Sequence, residues 1–286
     1  MAASEFILRD YQSGDEAALI EIWQSGFEDT DEEIRSFFER FQALRLCRIA
    51  EADGRPVAAF YLLDGPTLWG FRKKKFKAAY AYALATLPAY RKQGIGTALA
   101  KDLREKAFAS GYDVVCTTPS EASLFDFYRN AGFNQPLTSV REQICTRPQL
   151  KALPRPFTAR IRYDEYLSLR ESMLEGETHA EFPAEYYEEL NDFIDDGDGG
   201  FFMTESGIAA AETRNGVCTV HELLSSAGKE AVVAAAIGAF CPAEQYIIKT
   251  PAFWEGEGEI KPQVLAAVRE GITGLPDDLW FGITLQ

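Results

Sequence analysis

Residues 85–107 read ATLPAYRKQGIGTALAKDLREKA. An alternating run, AAYAYALAT at 78–86, precedes Leu87-Pro88 and reads as a strand. A basic turn with two glycines follows, and an amphipathic helix spans 94–110. A helix start offers unpaired backbone N–H groups and the positive end of the helix dipole. Glycines let the chain curl and let a ligand approach the main chain. Arg91, Lys92, Gln93, Gly94, Ile95, Gly96 and Thr97 therefore form a candidate cradle for phosphate or pyrophosphate. The same residues also suit a strand–helix turn with no ligand. Two other phosphate motifs fail here. GIGTAL lacks the third glycine of the dinucleotide fingerprint, and no Gly-Lys-Ser/Thr follows the glycines.

Upstream, Phe6–Arg9 reads as a short strand, and Asp15–Phe27 carries apolar residues at helical spacing. DTDEEIRSFFERF, 29–41, opens with Asp and Thr as cap candidates and loads its first turn with acids. Leu46–Ala50 and Val57–Leu63 flank EADGRP, a hairpin turn containing Asp53-Gly54. Downstream come a strand at 113–118, a helix at about 120–131 ending before Gly132, and a strand in LTSVREQICT.

The proline-rich, basic stretch RPQLKALPRPF, 147–157, is the candidate linker. Beyond it the pattern predicts helices at 163–174 and 184–194 and strands at 200–204, 207–213 and 216–224. A helix near 229–239, a strand at 245–250, a helix near 262–272 and a strand at 279–285 follow. The element order of the first part thus recurs without a residue-level repeat.

The pattern that fits the opening stretch is R-x-x-G-x-G after a strand ending in Leu-Pro. It resembles motif A of the GNAT superfamily of acyl-CoA-dependent N-acyltransferases. Downstream, LFDFYRNAGF looks like that family's FYxxxGF motif, and ILRDYQSGDEAALIEIW looks like its usual opening. The resemblance covers about residues 5–146. With the recurring order it implies an α+β protein of two GNAT-like domains, each a mostly antiparallel twisted sheet flanked by helices. The expected divisions are an acyl-CoA domain at 1–147, a linker at 148–156 and a degenerate domain at 157–286. In the second part, LLSSAGKEAVV at 223–233 has one glycine, and PAFWEGEGEIKP replaces FYxxxGF.

The resemblance implies that Leu84, Ala85, Thr86 and Leu87 pair with the pantetheine arm of acetyl-CoA. It implies that the amides from Gln93 to Thr97 hold the pyrophosphate, with Arg91 and Lys92 adding charge. A substrate amine would attack the thioester directly. Tyr128 would be the acid that protonates the departing thiolate, a role favoured over that of a core tyrosine whose hydroxyl happens to find a partner. The strand 78–86 lacks the carboxylate that relatives often use as base. Tyr80 and Tyr82 could relay through water or simply pack, and an acid at 28–33 or Glu51 could substitute, so no base is assigned. The basic run FRKKKFK, 71–77, reads as a solvated loop or a contact to the coenzyme's 3′-phosphate. The implied activity is N-acetyl transfer to a small-molecule or peptide amine. Other readings are a non-catalytic acyl-CoA sensor and a partner-binding protein.

Composition bounds these readings. The chain has 286 residues, 47% of them hydrophobic. Residues 1–150 carry 19 Lys and Arg against 20 Asp and Glu, while the remainder carries 10 against 24. So acidic a half disfavours nucleic acid and anionic membrane as partners and tolerates a cationic ligand. No run approaches the roughly 20 apolar residues of a membrane span, and no signal peptide is apparent. Five scattered cysteines without CxxC spacing, and two histidines, His179 and His221, argue against a metal site. They predict reduced, buried thiols in cytoplasm. DDGDGG, 195–200, lacks a calcium loop's closing Glu and reads as an acidic turn.

Overall fold

The computed structural model describes residues 5–151, 153, 157–196, 199–226 and 228–284. In chain order it runs β1 (Ile7–Asp10), α1 (Glu16–Gln24), α2 (Asp31–Arg40), β2 (Arg48–Ala52), β3 (Arg55–Trp69), β4 (Lys75–Thr86), α3 (Ile95–Ala109), β5 (Val114–Thr117), α4 (Ala122–Asn130) and β6 (Gln135–Thr146). It continues with α5 (Arg147–Lys151), β7 (Thr158–Ile161), α6 (Tyr163–Met173), β8 (His179–Glu181), α7 (Ala184–Asp196), β9 (Gly200–Thr204), β10 (Gly207–Arg214), β11 (Val217–Ser225), α8 (Glu230–Ile237), β12 (Gln245–Pro251) and β13 (Glu259–Val268). The fold is mixed α/β, and its strands pair mostly antiparallel.

Two compact units emerge: Met1–Thr67 with Phe76–Gln135 and Val264–Thr273, and Leu68–Lys75 with Pro136–Gln263 and Gly274–Gln286. They do not follow the contiguous division at 147–157. The reason is sheet closure, because an open strand edge demands a partner. In the first unit, 264–268 of β13 pairs antiparallel with β5, Leu265 opposite Thr117. In the second, β6 pairs antiparallel with β12, Tyr246 opposite Cys145. The stretch expected as a linker contains α5 over its first residues, while residues 152 and 154–156 of it lie outside the described set.

In the first unit the strand order is β1-β2-β3-β4-β5-β13. The turn between β2 and β3 is the expected hairpin, with Asp53 at φ 53° and Gly54 at φ 76°, the left-handed pair that such turns require. Thr30 caps α2: its hydroxyl accepts from the Glu33 amide at 3.3 Å, and Glu33 accepts from the Thr30 amide at 2.7 Å. The helix α3 buries Ile95, Leu99, Leu103 and Ala107 against Val57, Phe60 and Val115. Full burial of each large apolar side chain contributes about 1.5–3 kcal/mol.

Gly65 marks where β3 and β4 come close. A Cβ there would lie 2.8 Å from the Ala79 carbonyl carbon and 2.9 Å from the Tyr80 nitrogen. Next to it, β4 and β5 run parallel, but only from Ala78, Ala79 and Tyr80 to Val114, Val115 and Cys116. β4 continues to Thr86 while β5 ends at Thr117. The two strands splay, and the edge of β4 from Ala81 onward faces a notch.

The second unit orders its strands β7-β9-β10-β11-β12-β6, with residues 259–263 of β13 beyond β6. Two expectations fail here. The helix near 262–272 is β13: its residues Gln263–Ala267 are buried without alternation, and a short, mostly apolar run does not distinguish a buried strand from a helix by period. The strand at 279–285 is reduced to one bridge, Trp280 with His179. Backbone bonds of Leu279 and Trp280 and side-chain bonds together hold that tail. Arg170 and Glu222, both fully buried, pair at 3.1 Å, and Glu222 also accepts from the Tyr166 hydroxyl at 2.6 Å and from the Trp280 indole.

Candidate active site

The notch in the first unit opens into a cleft of about 700 Å³. Leu84, Ala85, Thr86, Arg91, Lys92, Gly94, Ile95, Gly96, Thr97 and Tyr128 all line it. Leu87 and Gln93 do not. The Leu87 amide donates to the Val57 carbonyl at 2.9 Å, so it is spent on the β3 side. The Gln93 side chain donates to the Ala89 carbonyl at 3.1 Å and shapes the turn.

The helix start is built as a donor cluster. Lys92 at φ 61° and Gly94 at φ 82° curl the chain into α3. The first backward bond of the helix runs from the Ala98 amide to the Gly94 carbonyl at 3.0 Å, and no side chain caps the N-terminus. The amides of Ile95, Gly96 and Thr97 therefore precede the helix ladder, as the first turn of any helix leaves them. Gly96 is small for a second reason. A Cβ there would sit 3.5 Å from the Phe127 ring of α4, so any longer side chain must enter the cleft or push the ring.

Arg91 does structural work. Its Nε donates to the Thr86 carbonyl at 2.8 Å and its Nη2 to the Ser25 carbonyl at 2.7 Å. The guanidinium thus ties the end of β4 to the end of α1. Ala83, inside β4, has φ 52°. An alanine in the left-handed region is strained, and here it re-aims the strand beside the notch. Nothing in an alanine announces this, and the sequence reading missed it.

Tyr128, on α4, is 8% exposed and packs against Phe127, Phe133 and Phe60. Burial raises its phenol above the ordinary value, and a hydrogen bond from Thr117 partly offsets this. The group therefore holds its proton at neutral pH. Tyr80 is more deeply buried and donates to the Thr118 hydroxyl at 3.0 Å. Burial pushes it far up as well. Tyr82 stacks on Phe37 and lies 6.1 Å from Trp23.

The acids weighed as bases are largely engaged. Asp29 accepts from the Trp23 indole at 2.7 Å, Glu33 belongs to the capping box, and Glu51 accepts from Arg9 Nε at 2.6 Å. The basic run is divided too. In the second unit Lys75 lies 4.0 Å from the Trp69 ring and Lys73 is 3.6 Å from Glu175, while in the first unit Lys77 lies 4.3 Å from the Tyr112 ring. His179 bonds Glu171 at 3.0 Å and His221 bonds Glu212 at 3.0 Å. All five cysteines are free and buried. Among the described residues no group of His, Cys, Asp and Glu is arranged to hold a metal, and no helix is long and apolar enough to cross a membrane.

In the first unit, then, a strand splays from a parallel neighbour, runs into an uncapped helix start and is faced by a buried tyrosine. Residues 8–135 match the family model of the acetyltransferase (GNAT) domain. The match, over 128 of the 286 residues, identifies a GNAT acetyltransferase domain within the chain, a domain class whose chemistry is acyl transfer. The chain is similar in fold to a GCN5-related N-acetyltransferase from Kribbella flavida, at 15% identity and TM-score 0.68 over 92% of this chain and 72% of that one. A probable N-acyltransferase from Enterococcus faecalis aligns at 12% identity and TM-score 0.70 over 93% and 72%. A putative acetyltransferase from Pyrococcus horikoshii aligns at 15% and 0.54 over 98% and 94%. Among curated proteins none matches the chain.

Proposed function

We propose that the protein transfers an acetyl group from acetyl-CoA to a primary amine of a small molecule or peptide. The observation that carries this reading is the free edge of β4 running directly into the uncapped amides of Ile95, Gly96 and Thr97. An extended amide-bearing arm fits the edge at Leu84 to Thr86, and a diphosphate fits the helix start. The exposed Lys92 adds positive charge at the mouth. The amine nitrogen attacks the thioester carbonyl, and a backbone N–H of β4 near Ala83 stabilises the oxyanion in a water-poor notch. The new C–N bond forms as the C–S bond breaks. Tyr128 gives the leaving thiolate its proton, and the ammonium formed on nitrogen loses one to solvent. Fixing both reactants along one strand supplies much of the rate.

The acidic balance of residues 151–286 suits a cationic amine, and the buried free thiols suit a reducing cytoplasm. On this reading the second unit is a GNAT-like half that has lost the coenzyme motif. One observation favours a second reading, an acyl-CoA sensor: β4 carries no carboxylate, and the acids Asp29, Glu33 and Glu51 are tied up elsewhere. A thiol-release assay with acetyl-CoA across a panel of amines separates the two. Release that depends on amine and falls in Tyr128→Phe supports the transferase. Saturable acetyl-CoA binding with no release under any amine supports the sensor.

A further inference from the structure

The second unit contains its own splayed strand pair. β11 pairs parallel with β12 from Val217–Val220 to Gln245–Ile248, after which β11 continues to Ser225 and β12 to Pro251. α8 follows β11 as α3 follows β4. The wedge holds a cavity of about 830 Å³, bordered by the helix start, β12, β6 and the 253–257 loop.

Its chemistry is opposite to that of the first notch. In α3, Gly96 follows the left-handed Gly94 by two residues. In α8, Glu230 follows the left-handed Gly228 by two residues. A carboxylate in that first turn complements the helix dipole and repels phosphate. Glu255 and Glu257 add two more carboxylates from the loop. Arg141 is the cation among the lining residues, and it is already committed: its guanidinium donates to the Ala252 and Trp254 carbonyls, each at 2.9 Å, and braces the loop. Glu257 accepts from Gln143 at 3.0 Å. Glu230 and Glu255 have no partner among the described residues. Thr250 lines the same cavity, is 7% exposed, and its hydroxyl also has no partner among the described residues. Open to the cavity, that oxygen is available to accept a hydrogen bond from a ligand there. Phe253 and Trp254 supply aromatic faces, and Ile248 and Ala231 supply aliphatic wall.

We propose that this cavity binds a linear aliphatic polyamine. Ammonium groups pair with carboxylates on the helix start and on the loop, methylene spacers cover Ile248 and Ala231, aromatic faces favour the cations, and one ammonium N–H donates to the Thr250 hydroxyl. A coenzyme is excluded by Glu230. A metal ion is disfavoured because the carboxylates come from separate walls of a wide cavity and no metal-type cluster occurs among the described residues.

The test is calorimetric titration of the full chain with spermidine at low salt. The expected result is saturable one-to-one binding that weakens as salt rises. It weakens at least tenfold in E230Q/E255Q and severalfold in T250V, with circular dichroism confirming the native fold of each. In G96E, which fills the other notch, spermidine affinity is unchanged, so this result stands apart from the fate of the acetyl-CoA reading. Absence of saturable binding at millimolar spermidine overturns the proposal. So does equal affinity in E230Q/E255Q, or displacement of spermidine by equimolar magnesium.

Discussion

The Tyr128 hydroxyl meets the Thr117 side chain at the end of β5, beside the unpaired edge of β4. Packing on Phe127, Phe133 and Phe60 holds the ring at the notch, and burial keeps the phenol protonated. Replacing Tyr128 by Phe removes the donor and keeps the ring packing. If the phenol protonates the leaving thiolate, kcat should fall about 10²-fold, with little change in KM for acetyl-CoA. The sign of the pH effect follows from the raised value. The protonated form persists past the ordinary phenol value of 10.0, so in wild type the alkaline loss attributable to this group begins above that pH. Steady-state kinetics across pH, with and without the substitution, reads both effects.

Gly96 faces the Phe127 ring at the mouth of α3. Gly96→Glu places a carboxylate among the first-turn amides, where a diphosphate would lie. Acetyl-CoA affinity should drop at least 100-fold, equivalent to about 2.7 kcal/mol, while the melting temperature changes little because the side chain can point into the open cleft. Equilibrium binding and thermal unfolding of the same preparation separate the two effects.

How much of this was legible in the sequence differs from element to element. The turn at Asp53-Gly54, the Thr30 cap and the glycine-led start of α3 follow from residue types with few conformational options. The splay could only be inferred by resemblance, because it depends on where β5 stops pairing with β4. Ala83 gives no sign of its positive φ, since alanine has no preference for that region. β13 was misread because Gln263–Ala267 is buried without alternation, and its helix-forming residues do not reveal which sheet claims them. Arg91 reads as a phosphate contact by type, yet its hydrogen bonds go to Thr86 and Ser25. Side-chain partners between distant segments, such as Arg170 with Glu222, are beyond any local pattern.

Gly65 shows how backbone proximity constrains the site. Its φ is ordinary, so the demand for glycine comes from the β4 backbone, 2.8 Å from any added Cβ. Gly65→Ala must move β3 away from Ala79 and Tyr80, where pairing with β5 ends. Overpacking of this kind costs about 1–3 kcal/mol. We expect a loss near the upper end of that range in urea unfolding, together with weaker acetyl-CoA binding, because the displaced segment sets the angle of the notch.

Arg170 and Glu222 form a fully buried pair that also collects Tyr166, Trp280 and the Ala180 carbonyl. Glu222→Leu leaves the guanidinium buried without its counter-charge, a change that costs about 3–5 kcal/mol in comparable sites. The double substitution Arg170→Met with Glu222→Leu removes both charges and should recover much of that loss. Chemical denaturation of wild type, both single variants and the double variant gives the coupling directly.

His221 ties the second unit's stability to pH. Its ring bonds Glu212 at 3.0 Å, but burial lowers its pKa below the ordinary 6.5, with Lys249 and Arg214 adding to the fall and Glu212 opposing it. The folded protein thus binds this proton less readily than the unfolded chain. Between the folded value and 6.5 the unfolded state carries more protons, so stability rises with pH across that window. Stated in the acid direction, stability is lost as pH falls below 6.5 until the folded histidine also titrates. Glu212, whose pKa is lowered from 4.5, and other depressed carboxylates add their own losses only at lower pH. His221→Gln keeps a hydrogen bond to Glu212 and removes the titration. Urea unfolding midpoints for the variant should stay flat from pH 7 to just below 6, where those of wild type decline. Parallel slopes in the two proteins would place the pH dependence elsewhere.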